Sequence, residues 1–289
     1  MEFRRATTLD EALDVLDRGG EQVRVLAGGT DVMIQLPRGE LEVGTLLHVE
    51  PIKELTSITS EDEIFIGSLA THRKIATSDV LANTHESIRT ASGLVGGWQT
   101  QIAGTIGGNI CNASPASDLA PPLLVHGAEV VLSSKQRGRR TLALQDFMLG
   151  RRQIAREPDE LLVGFRLPAA QKNSEDIYIK VGRRSATEVA IVGLALRLSL
   201  AKDETVSDVR VAVCAAGPVP SRALATEDFL SGKRLSKKTL KVAGATLLSE
   251  YSPIDDIRAS AEYRRSVLPR IFESALTHCE AVITGERRK

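Results

Sequence analysis

The sequence is short of the residues that build several common kinds of site. Its 289 residues include only three cysteines, Cys111, Cys214 and Cys279, and no two stand in the CxxC spacing typical of zinc or iron–sulfur sites. The five histidines, His48, His72, His85, His126 and His278, are as scattered, with no HxH or HExxH pair to share one helical face. No metal site is expected on this chain. Aromatic residues make up 3% of it, which leaves little for stacking bases, and 37 Lys plus Arg are matched by 37 Asp plus Glu. That balance removes any long-range attraction to nucleic acid or anionic membranes, so no nucleic-acid partner is expected. No apolar run approaches the roughly 18 residues of a membrane span, and the N-terminus "MEFRRATTLDEALDVL" lacks the apolar centre of a secretory signal. The expectation is a soluble, cytoplasmic protein. No acid–base pair stands out either, so no catalytic residue is assigned.

What is present is a recurring strand, glycine turn and helix start. Thr8 and Glu11 form a capping box ahead of Ala12, Leu13, Val15 and Leu16, which predicts a helix from about Leu9 to the Gly19-Gly20 stop. Val23 to Ala27 has strand character, Gly28-Gly29 breaks it, and Thr30 or Asp31 can cap a helix through Leu36. Thr45–Val49 and Glu63–Ser68 read as further strands, the second followed by Thr71 as a cap. After a helix near Ser87–Val95 comes a long irregular segment, where Gly93-x-x-Gly96-Gly97 is echoed eleven residues later by Gly104-x-x-Gly107-Gly108. Long loops inside compact domains are usually functional. "AEVVLSS", a basic turn "KQRGRR", "TLAL" and "ELLVGFRLP" then read as strands joined by hairpins. The polar stretch Gln171–Asp176 is the expected boundary. Beyond it "IYIKV", "AIVGLALRLSL" and "VSDVRVAVCAA" predict three antiparallel strands, followed by helices near Arg222–Leu230, Lys237–Glu250 and Ser260–Cys279.

The two turns "AGGTD" and "GTIGGN" each combine bare backbone with a capping side chain, and both look built to present N–H groups. The second lies within 45 residues, Thr90 to Ser134, that contain no lysine and no arginine. Aligned backbone amides can hold a diphosphate without a cation, so a phosphate ligand remains open. Neither turn matches GxGxxG or GxxxxGK[ST], which argues against a Rossmann NAD site and a P-loop. Ordinary tight-turn chemistry is the competing reading of both. Trp98, following Gly96-Gly97, reads as a packing anchor, with a ring-stacking group at a ligand site as the alternative.

Taken together, "LAGGTDVMIQL", "ATHRKI" and "QIAGTIGGNICNASPASDLAPPLLVHGAEVVL" resemble the FAD-binding medium subunit of the xanthine dehydrogenase and carbon monoxide dehydrogenase family of molybdenum hydroxylases. The similarity spans nearly the whole chain, with "KVGRR" and "SAEYRR" resembling that family's C-terminal domain. It implies an α+β fold, with a two-part FAD-binding domain of the vanillyl-alcohol-oxidase (PCMH) type over 1–172, in subdomains of about 1–56 and 57–172. A small C-terminal domain with a three-stranded antiparallel sheet and helices would follow over 173–289. By the same resemblance Leu26, Ala27, Gly28, Gly29, Thr30, Asp31 and Val32 form one wall of the FAD diphosphate site, and Thr105, Gly107, Gly108 and Asn109 the other. Asp118 would accept hydrogen bonds from ribityl or ribose hydroxyls. Leu161 and Lys180 would lie near the flavin ring, a surface lysine being the alternative for the second, and Thr71 and His72 would line the cleft. Where relatives have a first Thr in a "TTH" motif, this chain has Ala70. The implied function is electron transfer: FAD takes electrons from [2Fe-2S] clusters of a small subunit and passes them to NAD, oxygen or another acceptor. A large molybdopterin subunit completes the complex, a dimer of heterotrimers. The alternative is a self-contained flavin-dependent oxidoreductase acting on its own small organic substrate.

Overall fold

The computed structural model describes residues 1–169, 173–184 and 187–285. β1 (Glu2–Arg5), α1 (Leu9–Gly19), β2 (Val23–Leu26), α2 (Val32–Gln35) and β3 (Thr45–His48) build the N-terminal unit. Its strands are parallel, in the order β1-β3-β2. α1 starts as the sequence predicts, with Thr8 Oγ1 accepting from the Glu11 N–H while the Glu11 carboxylate accepts from Thr7 N–H. One side of α1, Leu9, Ala12, Leu13 and Leu16, packs with Val131, Leu161 and Val163 of a second sheet.

That sheet belongs to the next unit, built from β4 (Ile58–Ser60), β5 (Glu63–Gly67), α3 (His72–Ala76), α4 (Glu86–Gly93), α5 (Trp98–Ala103), α6 (Ile106–Cys111) and α7 (Ala120–Val125). It continues with β6 (Glu129–Ser134), β7 (Gly138–Ala143), α8 (Leu144–Phe147), β8 (Met148–Gly150), β9 (Gln153–Ile154) and β10 (Glu160–Pro168). Five of its strands pair antiparallel in the order β4-β5-β10-β6-β7, and β8 and β9 form a separate ribbon. Successive side chains on a strand point to opposite faces. Val131, Leu161 and Val163 therefore meet α1, while Val130, Leu132 and Leu162 join the core under the helices, with Ile88, Ile106 and Leu123. Both faces are covered, which is why "EVVL" and "LLVGF" run nearly without polar interruption.

Two expectations are corrected here. The segment after α4 is not irregular: it holds α5, α6 and α7, each six residues long. Helices this short carry no apolar period, and they stand by tertiary contacts such as Ile106 N–H to Ala70 O and Gly107 N–H to Ser68 O. The basic turn "KQRGRR" is shorter than expected, because β7 begins at Gly138 and Arg140 is drawn into the strand by a bidentate pair with Glu160 at 2.7 and 2.8 Å.

β11 (Ser174–Val181), β12 (Val192–Leu200), β13 (Val206–Cys214), β14 (Ser221–Arg222), α9 (Leu224–Leu230), α10 (Lys237–Glu250) and α11 (Ala261–Ile283) complete the chain. The sheet has four strands, β11-β12-β13-β14, rather than the expected three. β14 is two residues long, follows Pro218 and Pro220, and owes its pairing to β13 through Ala212 and Arg222, so no pattern of its own announces it. Of the expected boundary, Gln171 and Lys172 lie outside the described residues, and Ser174–Asp176 are already strand. β12 is buried along all nine residues because both of its faces are used. Leu194, Leu196 and Leu198 pack with Phe272 and Leu276 of α11, while Ala195, with Ala212, joins the core of the preceding unit.

β11 carries the polar seam between these units. Ile177, Ile179 and Val181 pack against the C-terminal core, and the alternate residues Asp176, Tyr178 and Lys180 bond to the preceding unit. Asp176 accepts from the N–H groups of Glu86 (3.3 Å) and Ser87 (2.8 Å), the first turn of α4, and pairs with His126 Nε2 at 2.9 Å. His85 stacks on His126 with ring centroids 4.2 Å apart. Burial, and then the neighbouring His126, push the His85 pKa down to about 4, and burial does the same to His72. Between that value and the unfolded 6.5 each ring binds fewer protons folded than unfolded, so its contribution is complete above pH 6.5 and is lost as pH falls towards 4. Denaturant titrations of the apo chain should show stability falling across this window by up to about 1.4 kcal/mol per pH unit for each histidine. A stability constant from pH 6.5 to 4.5 would mean that these rings are not held neutral.

Candidate functional site

β2 ends in the turn Ala27-Gly28-Gly29-Thr30-Asp31, and this turn and the start of α6 line one cleft of about 430 Å³. A side chain at Gly28 would place its Cβ 1.6 Å from the carbonyl oxygen of Ala103, so only glycine lets the turn press against the end of α5. Gly29 has φ +70°, the left-handed conformation that re-aims the chain into α2. Among the described residues none supplies an acceptor to the N–H groups of Gly28, Gly29, Thr30, Asp31 or Val32. Five successive donors therefore stand open on a turn that lines the cleft. Asp31 precedes α2 without capping it; its carboxylate accepts from Asn112 Nδ2 at 3.1 Å instead. Burial holds the Asp31 pKa above the usual carboxylate value against the opposing pull of Arg152 and Arg24.

The second turn is built differently. Thr105 Oγ1 caps α6 by accepting from Gly108 N–H at 3.0 Å, Gly107 N–H donates to Ser68 O at 2.9 Å, and Asn109 N–H donates to Thr105 O. The amides expected to face a ligand already have protein acceptors. Gly107 is a packing glycine, since a Cβ there would lie 2.7 Å from Ser68 O. Gly108 is exposed, and only Thr105 Oγ1, at 3.1 Å, would be near its Cβ. This wall offers room and side chains: Ser117 Oγ donates to Asn109 Oδ1 at 2.5 Å and fixes that amide at the cleft.

Ala27, Val32, His72, Thr105, Asn109 and Leu161 line the cleft along with these turns. Four other expected residues do not. Leu26 is buried at the end of β2, and Thr71 is engaged in capping α3, accepting from Lys74 N–H at 3.2 Å. Asp118 and Lys180 are buried together behind the wall, 2.8 Å apart, with Tyr178 OH donating to the other Asp118 oxygen at 2.7 Å and Lys180 Nζ donating to Leu94 O at 2.8 Å. Burial raises the Asp118 pKa more than Lys180 lowers it. Lys180 is thus no surface lysine: its side chain is 7% exposed. His72 Nδ1 is buried without a partner at the cleft.

Sequence reading missed the cations. Arg24 of β2 and Arg152 and Arg156, which flank β9, all line the cleft, although the glycine-rich segment itself has no basic residue. The one available signal was a charge in the middle of the otherwise apolar β2, Val-Arg-Val-Leu. Trp98 is also corrected: it is 56% exposed, with the Arg73 guanidinium 4.3 Å from its ring, and anchors no core. Cys111 lines the cleft with its thiol pKa pushed up to about 11 by burial, which keeps it an unreactive neutral group. Among the described residues no group of three or more His, Cys, Asp or Glu is placed to hold a metal ion, and no helix is long and apolar enough to cross a membrane.

Open amides, a turn pressed close by glycine, and an arginine that no hydrogen bond or ion pair holds among the described residues are features suited to an anionic ligand. A family model for the FAD-binding domain in molybdopterin dehydrogenase matches residues 1–170, and one for the CO dehydrogenase flavoprotein C-terminal domain matches 177–279. The chain is 28% identical over 287 residues to a putative xanthine dehydrogenase FAD-binding subunit of Escherichia coli K12, covering 98% of this chain and 97% of the other. It is 32% identical over 267 residues to a glyceraldehyde dehydrogenase medium chain of Sulfolobus acidocaldarius, covering 92% and 93%. Among solved structures, a chain of carbon monoxide dehydrogenase from Hydrogenophaga pseudoflava superimposes with a TM-score of 0.92 at 26% identity, over 97% of both chains. Cleft, domain order and similarity along the whole length converge: this chain belongs to the FAD-binding flavoprotein subunits of the xanthine dehydrogenase and carbon monoxide dehydrogenase family of molybdopterin-dependent dehydrogenases.

Proposed function

We propose that the chain is the electron-transfer flavoprotein of a molybdenum hydroxylase complex, with 1–172 as its FAD-binding domain and 173–289 as its C-terminal domain. The observation that carries the reading is the run of five N–H groups, Gly28 to Val32, without protein acceptors on the wall of a cleft. In this reading that run and Asn109 hold the diphosphate, while the bare Gly108 gives it clearance and Thr105 and Gly107 shape the wall behind it. Ala27 and Leu161 offer apolar surface to the rings. Leu26, Thr71, Asp118 and Lys180 act from behind the wall by fixing the backbone that lines it. Bound FAD supplies the exchange of electron pairs with single electrons, and the protein supplies orientation and field.

The electrons come from [2Fe-2S] clusters on a small partner subunit, fed by a large molybdopterin subunit, and leave to NAD, oxygen or another acceptor. We place this assembly in the cytoplasm as a dimer of heterotrimers. Calorimetry on the purified full chain tests the cofactor reading: FAD should bind at least tenfold more tightly than FMN, about 1.4 kcal/mol, because FMN lacks the second phosphate. Equal affinities would sink it. Copurification with an iron–sulfur and a molybdopterin subunit supports the electron-transfer reading, whereas turnover of an organic substrate by the isolated chain supports a self-contained oxidoreductase.

A further inference from the structure

Arg24 is the cation in this cleft with the least to hold it. It sits in the middle of β2, half-buried and lining the cleft, and among the described residues no side chain or carbonyl makes a hydrogen bond or ion pair with its guanidinium. Arg152 is only loosely held, 3.4 Å from Asn112 Oδ1 and 3.5 Å from Glu40 Oε2. Arg156 is turned onto the carbonyls of Glu157, Pro158 and Glu160, which carry no full charge. Asp31, already bonded to Asn112, is the carboxylate that acts on Arg24, and the neighbouring arginines oppose it. Burial, and then Arg156, push the Arg24 pKa down, as expected of a cation whose counter-charge is not supplied by protein.

We infer that Arg24, supported by Arg152, is a clamp for the diphosphate of the bound dinucleotide, completing electrostatically a site whose backbone part is the Gly28–Val32 turn. The inference rests on the FAD reading above. Oxidised flavin, ribityl and adenosine are neutral at pH 7, so the diphosphate is the one group of FAD that can compensate a half-buried guanidinium there. Arginine is also the side chain suited to it, because its planar donors match paired phosphate oxygens. The second turn cannot take this role, since its amides are engaged by Thr105 and Ser68.

The test uses the apo form of the full chain, with Arg24→Gln, which removes the charge but keeps a polar, hydrogen-bonding end on a shorter stem, and Arg24→Lys, which keeps the charge. Calorimetry would measure FAD affinity from 50 to 500 mM salt, and inorganic pyrophosphate would serve as a second probe. Arg24→Gln should bind FAD at least tenfold more weakly at low salt, with a shallower salt dependence than wild type, and should lose pyrophosphate binding at unchanged apo thermal stability. Arg24→Lys should recover a large part of the affinity. If wild type binds FAD and Arg24→Gln matches it in affinity and salt dependence, the clamp is wrong while the FAD reading stands. A shifted flavin midpoint potential at unchanged affinity would likewise overturn it, assigning the charge to the reduced flavin. Binding of neither FAD nor pyrophosphate by wild type would overturn the FAD reading and the clamp together.

Discussion

Gly28→Ala should abolish FAD binding and destabilise the apo chain, and it should do both where Gly108→Ala does not. The added Cβ at residue 28 would lie 1.6 Å from the Ala103 carbonyl oxygen and 2.4 Å from its carbon, both backbone atoms that no rotamer change can move. Either the turn withdraws from α5, carrying the open amides of Gly29 to Val32 with it, or α5 shifts against α3. Overpacking of ordinary core sites costs about 1–3 kcal/mol, and a backbone collision should reach or exceed the top of that range. With the donors displaced, FAD affinity should fall at least a hundredfold, about 2.7 kcal/mol. Gly108 is a different kind of glycine. It stands in the first turn of α6 with room for a methyl apart from a 3.1 Å approach to Thr105 Oγ1, and alanine is the better helix former by up to about 1 kcal/mol. Its apo stability should hold, so any loss of FAD affinity in Gly108→Ala reports a ligand lying against that wall. Thermal melts and FAD titrations of both variants decide the matter. A Gly28→Ala protein with wild-type stability and affinity would show that the turn does not depend on its contact with α5.

The contrast shows where sequence reasoning reaches and where it stops. The glycine pairs at 28–29 and 107–108 look alike as strings, and both were expected to present backbone donors. What separates them is partners far away in the chain: Ala103 for Gly28, Ser68 for Gly107. Local signals carried well wherever a residue acts on its own turn. The caps at Thr8, Thr71 and Thr105 all accept from the amide three residues on. The α1 and α10 spans, and the strands along β6, β10 and β12, likewise follow from period and propensity. Arg24, Arg152 and Arg156 were hidden because each is an ordinary surface residue type until β2 and the turns around β9 are folded to one side of the cleft. The two-residue β14 was hidden because its pairing is dictated by β13. The clearest local trace of long-range design is β11, where alternate positions carry Asp176, Tyr178 and Lys180. Three polar side chains on one face of a core strand imply polar partners opposite, even though the sequence does not name them.

Lys180→Met should be the most destabilising single change in that seam, and its pH dependence should identify the cause. Methionine keeps the stem's volume but leaves the Asp118 carboxylate, whose side chain is 8% exposed, with Tyr178 as its remaining polar partner and no compensating charge. Removing one member of a buried pair costs about 3–5 kcal/mol, most of it from the stranded charge rather than the lost attraction. Burial already raises the Asp118 pKa with Lys180 present, so without Lys180 it should rise further. A carboxylate whose folded pKa exceeds its unfolded value destabilises the fold above that range and ceases to do so as pH falls through it. The gap between wild type and Lys180→Met should therefore be widest near pH 7 and narrow towards pH 5. The double variant Asp118→Asn/Lys180→Met removes both charges and should recover much of the loss at pH 7. FAD affinity should weaken even where the single variant stays folded, because Lys180 also holds the Leu94 carbonyl, one residue from Val95 on the cleft wall. A Lys180→Met protein as stable as wild type at pH 7 would show that Asp118 is protonated in the native chain and that the seam is held by neutral hydrogen bonds. A pH-independent deficit that the double variant fails to relieve would instead assign the role of Lys180 to packing and to its bond with Leu94.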